Sequence, residues 1–428
     1  MTIKTRLTAS HTLKDLPIEI LTAVCSHLTP KSCYQVIQVS HRFKAVAEPF
    51  LYSDIKLLVL NKPDGARKKP LFDKLVDDLT ERPELGAYVR ALTLQGHDGD
   101  FDRHDELLQR LPNTRYLELS PPGYDLMVRN MRDLECLKLN YDMLWYHYRR
   151  QSQPREQPTS KVEIMARHFW MPKLRRLEVE MPDFTIDDGS NPFINLSSDL
   201  NRASPITTLC LTHCGDIDLG VLPDMLQAVK VLERFTFTIS CQWEGEHMRT
   251  PGISPQAIGQ SLEVHMETLV ELIIAGNDAA WFLNTSLFGT LARCRHLKRL
   301  AIPEPFLIPN YVSTLHQCLP SQLEDLQLQY PMGFTQGLDN QRKIRQARIH
   351  NLGLDKHRSL PKLKRIIWWY QHSECWSESP GRPTRYGDSE VLTNMVALFK
   401  DVGVHFEWLS ASYFDETPFG AREVEGSW

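Results

Sequence analysis

Three aspartates near residue 100 have the spacing of a calcium-binding loop. Asp98, Asp100 and Asp102 match the first, third and fifth ligand positions of such a loop. Arg103 stands where the loop needs glycine, and Gln109 stands where it needs a bidentate glutamate. A solvated acidic turn is therefore the better interpretation, and the sequence predicts no calcium site here.

A thiol and imidazole cluster raises the question of zinc. Cys210, His213 and Cys214 are close in sequence, but a structural zinc site needs more ligands, and Cys210 falls in a predicted strand. His372 and Cys375 form an equally incomplete pair. The sequence also contains no phosphate loop, dinucleotide fingerprint or nucleophile elbow. We therefore predict a protein that is not an enzyme and that needs no metal or cofactor.

Arginine and tryptophan residues in the second half of the chain are suited to binding a partner. Guanidinium groups pair well with carboxylates and phosphates, and exposed tryptophan often anchors binding surfaces. We predict that one face of a sheet binds an acidic or phosphorylated segment of a target through Arg234, Arg299, Arg365, Ile367 and Trp369. The alternative is that the arginines only solvate that face and that Trp369 packs under the loop after it.

An apolar hexapeptide of the form L-x-x-L-x-L supplies the strands of that sheet. It recurs ten times, at residues 89–94, 114–119, 134–139, 174–179, 206–211, 232–237, 269–274, 297–302, 323–328 and 363–368. Successive copies end 20 to 40 residues apart. Repeats of roughly 20–29 residues with this motif are typical of leucine-rich repeats, and the longer steps indicate inserted loops. The alternative is an α/β sheet of another kind, since short alternating patterns are common.

Alignment of the hexapeptides predicts which side chains share the outward face. One predicted column consists of Arg176, Thr208, Arg234, Glu271, Arg299, Asp325 and Arg365. Helices are predicted between strands, including residues 258–265 and 287–294. A helix over 388–403 and a strand over 404–408 predict a capping repeat. Residues 61–70, 149–160 and 373–387 are predicted loops.

The composition is that of an ordinary globular protein. Of 428 residues, 42% are hydrophobic and 24% are charged, and the net charge is −4. We therefore expect no nucleic-acid partner. The apolar runs are too short to cross a bilayer, and no signal peptide is visible, so we expect no membrane partner. Nine cysteines without a pairing pattern favour a reducing compartment, the cytoplasm, the nucleus or both.

Residues 16–52 are predicted to form three short helices. Pro17 can open the first, while Thr29 and Ser40 can cap the second and third. The first carries an apolar stripe at helical spacing, made of Ile20, Leu21, Val24 and Leu28. Three such helices bury little apolar surface alone, so the unit needs a partner or a supporting domain. A helical cap on the following domain is the alternative.

This stretch resembles the F-box family. The matching residues are Leu16-Pro17, Glu19-Ile20-Leu21, Val39-Ser40, Phe43 and Phe50-Leu51-Tyr52. Ser32-Cys33-Tyr34 departs from the pattern, since leucine is more usual there. The whole chain is similar to F-box proteins with leucine-rich repeats, especially divergent fungal ones. The resemblance implies an α/β fold: a three-helix F-box at residues 11–55, a linker and connecting helix at 56–88, and an irregular leucine-rich-repeat solenoid at 89–428.

The resemblance also implies partners. In the F-box family this surface binds the Skp adaptor, which links to a cullin scaffold. The candidate contact or support residues are Leu16, Pro17, Ile20, Leu21, Val24, Leu28, Val36, Val39 and Phe43. The chain is thus predicted to be a substrate-recruiting subunit of an SCF-type ubiquitin ligase whose repeats bind an unknown protein substrate.

Three other functions stay open. The chain could be a scaffold that uses the F-box outside a ligase, or an enzyme with its site on an irregular solenoid. It could also recognise a partner through its repeats without any F-box role. Burial of Leu16, Pro17 and Ile20 in the protein's own core would favour that last function.

Overall fold

A computed structural model of the chain describes twelve segments. They are residues 16–59, 69–96, 104–120, 131–140, 166–180, 203–214, 220–239, 254–276, 286–307, 314–330, 338–372 and 389–412. The chain divides into two compact units, Met1–Leu137 and Lys138–Trp428. The predicted loops at 149–160 and 373–387, most of the loop at 61–70, and Asp98, Asp100 and Asp102 lie outside the described residues.

The described part of the first unit begins with three helices, as the sequence predicts. These are α1 (Ile18–Cys25), α2 (Pro30–Ile37) and α3 (His41–Leu51). The Thr29 hydroxyl accepts a hydrogen bond from the N–H of Ser32, and the Ser40 hydroxyl accepts one from Phe43, at 3.3 Å in both cases. Both predicted N-caps are therefore confirmed, and they set where α2 and α3 begin.

A small core holds these three helices together. It consists of buried side chains from all three helices: Leu21, Cys25, Cys33, Phe43, Val46 and Ala47. Leu21 and Cys25 are one helical turn apart on α1, so they face the same side. The opposite sides of α1 and α2 are left for solvent or a partner.

The rest of the first unit is a parallel sheet with helical connections. Its elements are β1 (Asp54–Val59), α4 (Lys69–Glu81), a 3-10 helix (Pro83–Tyr88), β2 (Ala91–Gly96), α5 (His104–Gln109) and β3 (Tyr116–Ser120). β1 pairs with β2, and β2 with β3, both parallel. Strand β1 begins at Asp54, inside the predicted F-box range and before the predicted linker at 56–88. Strand β4 (Cys136–Asn140) follows and lies across the boundary between the units.

The second unit continues the same alternation of parallel strand and connection. Its further strands are β5 (Arg176–Glu180), β6 (Thr208–Cys214), β7 (Arg234–Ile239), β8 (Glu271–Gly276), β9 (Arg299–Pro303), β10 (Asp325–Tyr330), β11 (Arg365–His372) and β12 (His405–Ser412). Its helices are α6 (Val221–Ala228), α7 (Pro255–Leu262) with a 3-10 turn (Glu263–His265), α8 (Glu304–Leu307), a second 3-10 turn (Leu315–Cys318), α9 (Leu338–Ser359) and α10 (Ser389–Asp401). Each strand from β5 onward pairs with the next one in the chain.

Each predicted hexapeptide forms the core of one repeat, although its strand begins two residues later than the hexapeptide. The first residue of each copy is buried in the turn before the strand, as Leu174 is before β5 and Leu323 before β10. The other two apolar positions are buried within the strand, as Leu326 and Leu328 are in β10. The motif therefore encodes a buried turn residue followed by one buried strand face.

A repeated hydrogen-bond pattern links these turns. The carbonyl of Arg175 accepts the N–H groups of Thr207 and Thr208, and the carbonyl of Thr207 accepts those of Glu233 and Arg234. The same pattern, in which one carbonyl accepts two consecutive N–H groups, continues to Glu324, whose carbonyl accepts those of Lys364 and Arg365. In the first unit, Ser53 has this role directly after α3, where its carbonyl accepts Arg90 and Ala91. Helix α3 therefore leads into the first strand without a linker.

The pairing register confirms the predicted column of outward residues. Arg176 pairs with Thr208, Thr208 with Arg234 and Arg234 with Glu271. The column continues with Glu271 beside Arg299, Arg299 beside Asp325, and Asp325 beside Arg365. The C-terminal prediction of a helix and then a strand is also confirmed by α10 and β12, and Gly403 between them has a φ of 72°.

The predicted helix at 287–294 is wrong. Residues 286–297 form turns and extended backbone. The N–H of Phe288 donates to the carbonyl of Phe306, and that of Leu291 donates to Cys318. Gly289 has a φ of 108°, which a right-handed helix does not allow. The apolar residues Leu291 and Cys294 are buried nonetheless. The sequence pattern therefore indicates that these residues are buried, but it does not indicate their backbone conformation.

Candidate functional site

The nine residues predicted to contact or support the Skp adaptor separate into three groups. Leu21 and Phe43 are buried, and Leu16, Leu28 and Val36 are half-buried. The exposed members are Pro17, Ile20, Val24 and Val39. Leu21 and Phe43 therefore belong to the core of the three helices, and the four exposed residues are open to solvent or to a partner.

The helical period explains this separation on α1. Leu21 and Cys25 face the core, while Pro17, Ile20 and Val24 recur at steps of three and four residues on a neighbouring face. Ile20 and Val24 are each about half exposed, at 49% and 48%. A short helix with two apolar faces cannot bury both within a three-helix unit.

Two exposed apolar residues of the same region were absent from the predicted set. Ile18 and Tyr34 are 52% and 56% exposed. Ten large apolar side chains are exposed among the described residues, and five of them lie between residues 18 and 39: Ile18, Ile20, Val24, Tyr34 and Val39. Half of the exposed large apolar side chains of the described residues thus occur within 22 consecutive residues, and exposed apolar side chains grouped in a patch are typical of interaction surfaces. The family pattern expects leucine near Tyr34, and that departure was the available signal for it.

Polar contacts hold the ends of this surface in place. The guanidinium of Arg42 on α3 donates to the carbonyl of Leu16, which holds the chain just before α1. Glu48 of α3 accepts two hydrogen bonds from Arg82, Nη1–Oε1 at 2.9 Å and Nη2–Oε2 at 3.0 Å. Arg82 also donates through Nε to Glu84 at 3.1 Å, and these bonds to carboxylates raise the pKa of the guanidinium. The three helices are thereby tied to the segment that leads into β2.

The second candidate surface is the outward face of the strands from β5 to β12. Arg299 lies 2.6 Å from Glu271, measured from Nη2 to Oε2, and Arg234 lies 3.7 Å from the same carboxylate. Arg365 lies 3.3 Å from Glu407, and Arg176 binds Glu178. All four arginines of the column therefore have carboxylate partners on this face. The prediction treated them as available for a target, but an acidic ligand would have to compete with these glutamates.

The two apolar candidates on this face have different outcomes. Ile367 is 7% exposed, so its side chain offers little surface to a partner. Trp369 lies in β11 beside Gln329, and its side chain is outside the described residues. The role of both in binding a target stays a prediction.

The cysteines considered for zinc lie in β6. Cys214 is buried and Cys210 is half-buried. Burial raises the pKa of the Cys210 thiol to about 12, with the nearby Glu178 carboxylate adding to the effect, and burial also raises the pKa of Cys214. Burial therefore favours the protonated form of both thiols. Among the described residues, no cluster of three or more His, Cys, Asp or Glu side chains is arranged to hold a metal ion.

The match to a known family lies in the three-helix region. Residues 13–57 match the F-box-like family model. The chain therefore contains an F-box-like domain, which includes α1, α2, α3 and the first residues of β1. No curated protein matches the chain. Within the part of the chain that the structure describes, no helix has the length and apolar character needed to cross a membrane.

The F-box-like domain indicates an adaptor role of the SCF type in general terms. Domains of this kind generally bind Skp1-type adaptors. The exposed apolar side chains of α1 and α2 and Val39 belong to this domain.

Proposed function

We propose that this protein is a substrate-recruiting adaptor subunit of an SCF-type ubiquitin ligase. In this proposal the F-box-like domain binds a Skp-type adaptor through Pro17, Ile20, Val24 and Val39, with Tyr34 extending the contact. The adaptor would connect the chain to a cullin scaffold. The repeats after it would bind a protein target. The chain would perform no catalytic step and need no cofactor.

One observation carries the adaptor end of the proposal. Of the ten large apolar side chains that are exposed among the described residues, five lie within the F-box-like domain. Apolar side chains that remain exposed in a cluster lose water contacts favourably when a partner covers them, at about 25 cal/mol per Å². Pro17 and Ile20 are exposed and Leu16 is only half-buried. Their exposure supports docking over a function of the repeats alone, since their burial in the protein's own core would have favoured that function.

The repeats support the target end. Parallel strands in chain order, each preceded by a buried apolar turn residue, are the arrangement expected of leucine-rich repeats, and we propose that these units are divergent examples of them. When such repeats stack, equivalent outward positions of successive strands line up into columns of side chains that a partner can contact. On that face Arg234, Arg299 and Arg365 remain candidates for pairing with an acidic or phosphorylated segment, with Ile367 and Trp369 beside them.

Co-purification with a Skp-type adaptor tests the proposal. Ile20→Asp combined with Val24→Asp should abolish co-purification, because two carboxylates would be buried without partners in the contact. Thr22→Asp is the matched control, since Thr22 is exposed on the opposite side of the same helix. If the double variant is folded and still co-purifies with the adaptor, the proposal is wrong.

Ubiquitin transfer distinguishes a ligase subunit from a scaffold. A complex reconstituted with the adaptor, a cullin and its ring-type partner should ubiquitylate a protein captured by the repeats. Adaptor binding with no transfer to any captured protein would favour a scaffold that uses the same two surfaces.

A further inference from the structure

Helix α9 has apolar residues on both of its faces. Ile349, Leu352 and Gly353 pack inward and are buried. Ile344 and Leu354 point outward and are 37% and 59% exposed, and Leu354 is among the most exposed large apolar side chains of the described residues. A helix that only covers a sheet needs one apolar face, so the outward apolar residues need a separate explanation.

The outward face of α9 has the spacing of a helix-pairing seam. Ile344, Ala347, Asn351, Leu354 and Arg358 follow one another at alternating steps of three and four residues. All five are exposed or half-buried. With a rise of about 1.5 Å per residue, Ile344 and Leu354 are about 15 Å apart along the axis. These are the steps between the a and d positions of two helices that pack along each other, here with Asn351 and Arg358 as polar members.

One flank of this seam carries lysine and histidine. Lys343, His350 and His357 recur at seven-residue steps beside the apolar positions, and all three are exposed. Arg358 is also exposed at the C-terminal end of the seam. None of these four side chains has an ion-pair partner among the described residues. Between residues 343 and 358 the sequence has a single acid, Asp355, which lies 3.2 Å from His316 at the edge of the helix.

Helix α9 is held firmly behind this surface. Nη1 of Arg348 lies 2.6 Å from Oε1 of Glu304, and both side chains are buried. A Cβ atom added to Gly353 would lie 2.9 Å from Leu398 of α10, so the two helices are in close contact. The surface defined by Ile344, Ala347, Leu354, Lys343 and Arg358, here called the α9 face, lies on the side of α9 away from these contacts.

We propose that the α9 face binds an acidic amphipathic helix of a partner protein. The a/d spacing fits one helix laid alongside, and the exposed cations Lys343 and Arg358 fit glutamates at the partner's e and g positions. A membrane surface fits less well, because interfacial helices present several large apolar residues and this face has two. This proposal extends the target-binding part of the proposed function and rests on that function for the role of the captured partner. The contact itself does not involve the F-box-like domain.

A designed peptide tests the α9 face directly. The probe is a labelled helical peptide of about 28 residues with leucine at a and d and glutamate at e and g. The full-length protein should bind it with a Kd below about 100 μM, and a matched peptide with lysine at e and g should bind at least about tenfold more weakly. Failure of the acidic peptide to bind, or equal binding of the two peptides, overturns the proposal.

Variants on the surface of the helices locate the contact. Leu354→Glu, and separately Lys343→Glu with Arg358→Glu, should each weaken binding of the acidic peptide by about tenfold or more. Val396→Glu is the matched control, because Val396 is 47% exposed on α10 and should leave the affinity unchanged. Undiminished binding by the Leu354 and Lys343/Arg358 variants overturns the proposal. So does binding to vesicles of anionic lipid that the acidic peptide does not displace.

The F-box-like domain provides a further control. The Ile20→Asp, Val24→Asp variant should bind the acidic peptide as the unmodified protein does. The two proposals can therefore fail separately, since loss of adaptor binding leaves the peptide assay intact.

Discussion

Glu271 and Arg299 face each other across strands β8 and β9, with 2.6 Å between Oε2 and Nη2. Arg234 approaches the same carboxylate from β7 on the other side. From β7 to β11 the column reads arginine, glutamate, arginine, aspartate, arginine. Neighbouring strands thus present opposite charges, an arrangement that favours their pairing.

Removal of the Glu271 charge should destabilise the second unit slightly. A double-mutant cycle of Glu271→Gln and Arg299→Gln should give a coupling free energy of about 0.5–1 kcal/mol, because both side chains are partly exposed. The Lys364–Glu324 pair is the comparison, and its coupling should be smaller because Lys364 is far more exposed. Denaturant unfolding measures both. A Glu271–Arg299 coupling of zero would show that the alternation of charge has no role in strand pairing.

Loss of Arg82 should destabilise the first unit more strongly. The side chain of Glu48 is largely buried, and Arg82→Ala would leave its carboxylate without the two bonds that Arg82 donates. We expect a loss of about 2 kcal/mol in the free energy of unfolding, seen as a lower thermal midpoint. Glu84→Gln removes only an exposed partner of Arg82 and should leave the midpoint nearly unchanged. Equal effects of the two variants would contradict this account.

The hexapeptides predicted the strands well because the same alternation of apolar and polar residues indicates an extended backbone and its buried face. Residues such as Leu326 and Leu328 alternate with polar ones, which indicates both a strand and its buried face. The two-residue offset was not predictable from alternation. The first apolar residue, as in Leu323, is buried in a turn and not in the strand. Strand β1 was missed because its sequence lies next to the helical pattern of residues 16–52 and lacks the hexapeptide.

The candidate sites were predictable in part. The spacing of Ile20, Leu21 and Val24 indicates helix α1, but which side packs inward depends on where Cys33 and Phe43 lie, and those contacts are set by the fold. The arginine column was aligned correctly from the sequence. The ion pairs that its arginines form with Glu271 and Glu407 were not predicted, because they depend on how side chains lie across neighbouring strands. The alternation of charge along the column was the available signal for the pair with Glu271.

His168 should make stability depend on pH. Burial lowers the pKa of this imidazole to about 4, with Arg167 adding to the effect, and Nε2 has no hydrogen-bond partner among the described residues. The folded state therefore binds fewer protons than the unfolded state between pH 4 and 6.5, so stability falls as pH falls through that window.

Replacement of His168 by phenylalanine tests this directly. The unmodified protein should lose about 2 kcal/mol more than His168→Phe when the pH falls from about 7 to about 5. Denaturant unfolding at the two pH values gives the comparison. An identical loss in both proteins would show that His168 is not responsible.

Gly259 should not tolerate alanine, although it lies inside helix α7. A Cβ atom there would lie 1.9 Å from the carbonyl oxygen of Phe288, a backbone atom that cannot move aside cheaply. Gly259→Ala should therefore lower the free energy of unfolding by about 1–3 kcal/mol, whereas alanine in a helix usually stabilises. Gln260→Ala, at the exposed neighbouring position, should be neutral or slightly stabilising. A stabilised Gly259→Ala variant would mean that the close approach to Phe288 is absent.

The affinity of the purified protein for a purified Skp-type adaptor tests the central claim most directly. Titration calorimetry should give a negative heat-capacity change, as expected when the exposed side chains of Ile20, Val24 and Val39 are covered. Ile20→Asp alone should weaken the affinity by at least about tenfold, and Thr22→Asp should leave it unchanged. Equal affinities of the Ile20→Asp and Thr22→Asp variants for the adaptor would contradict the account.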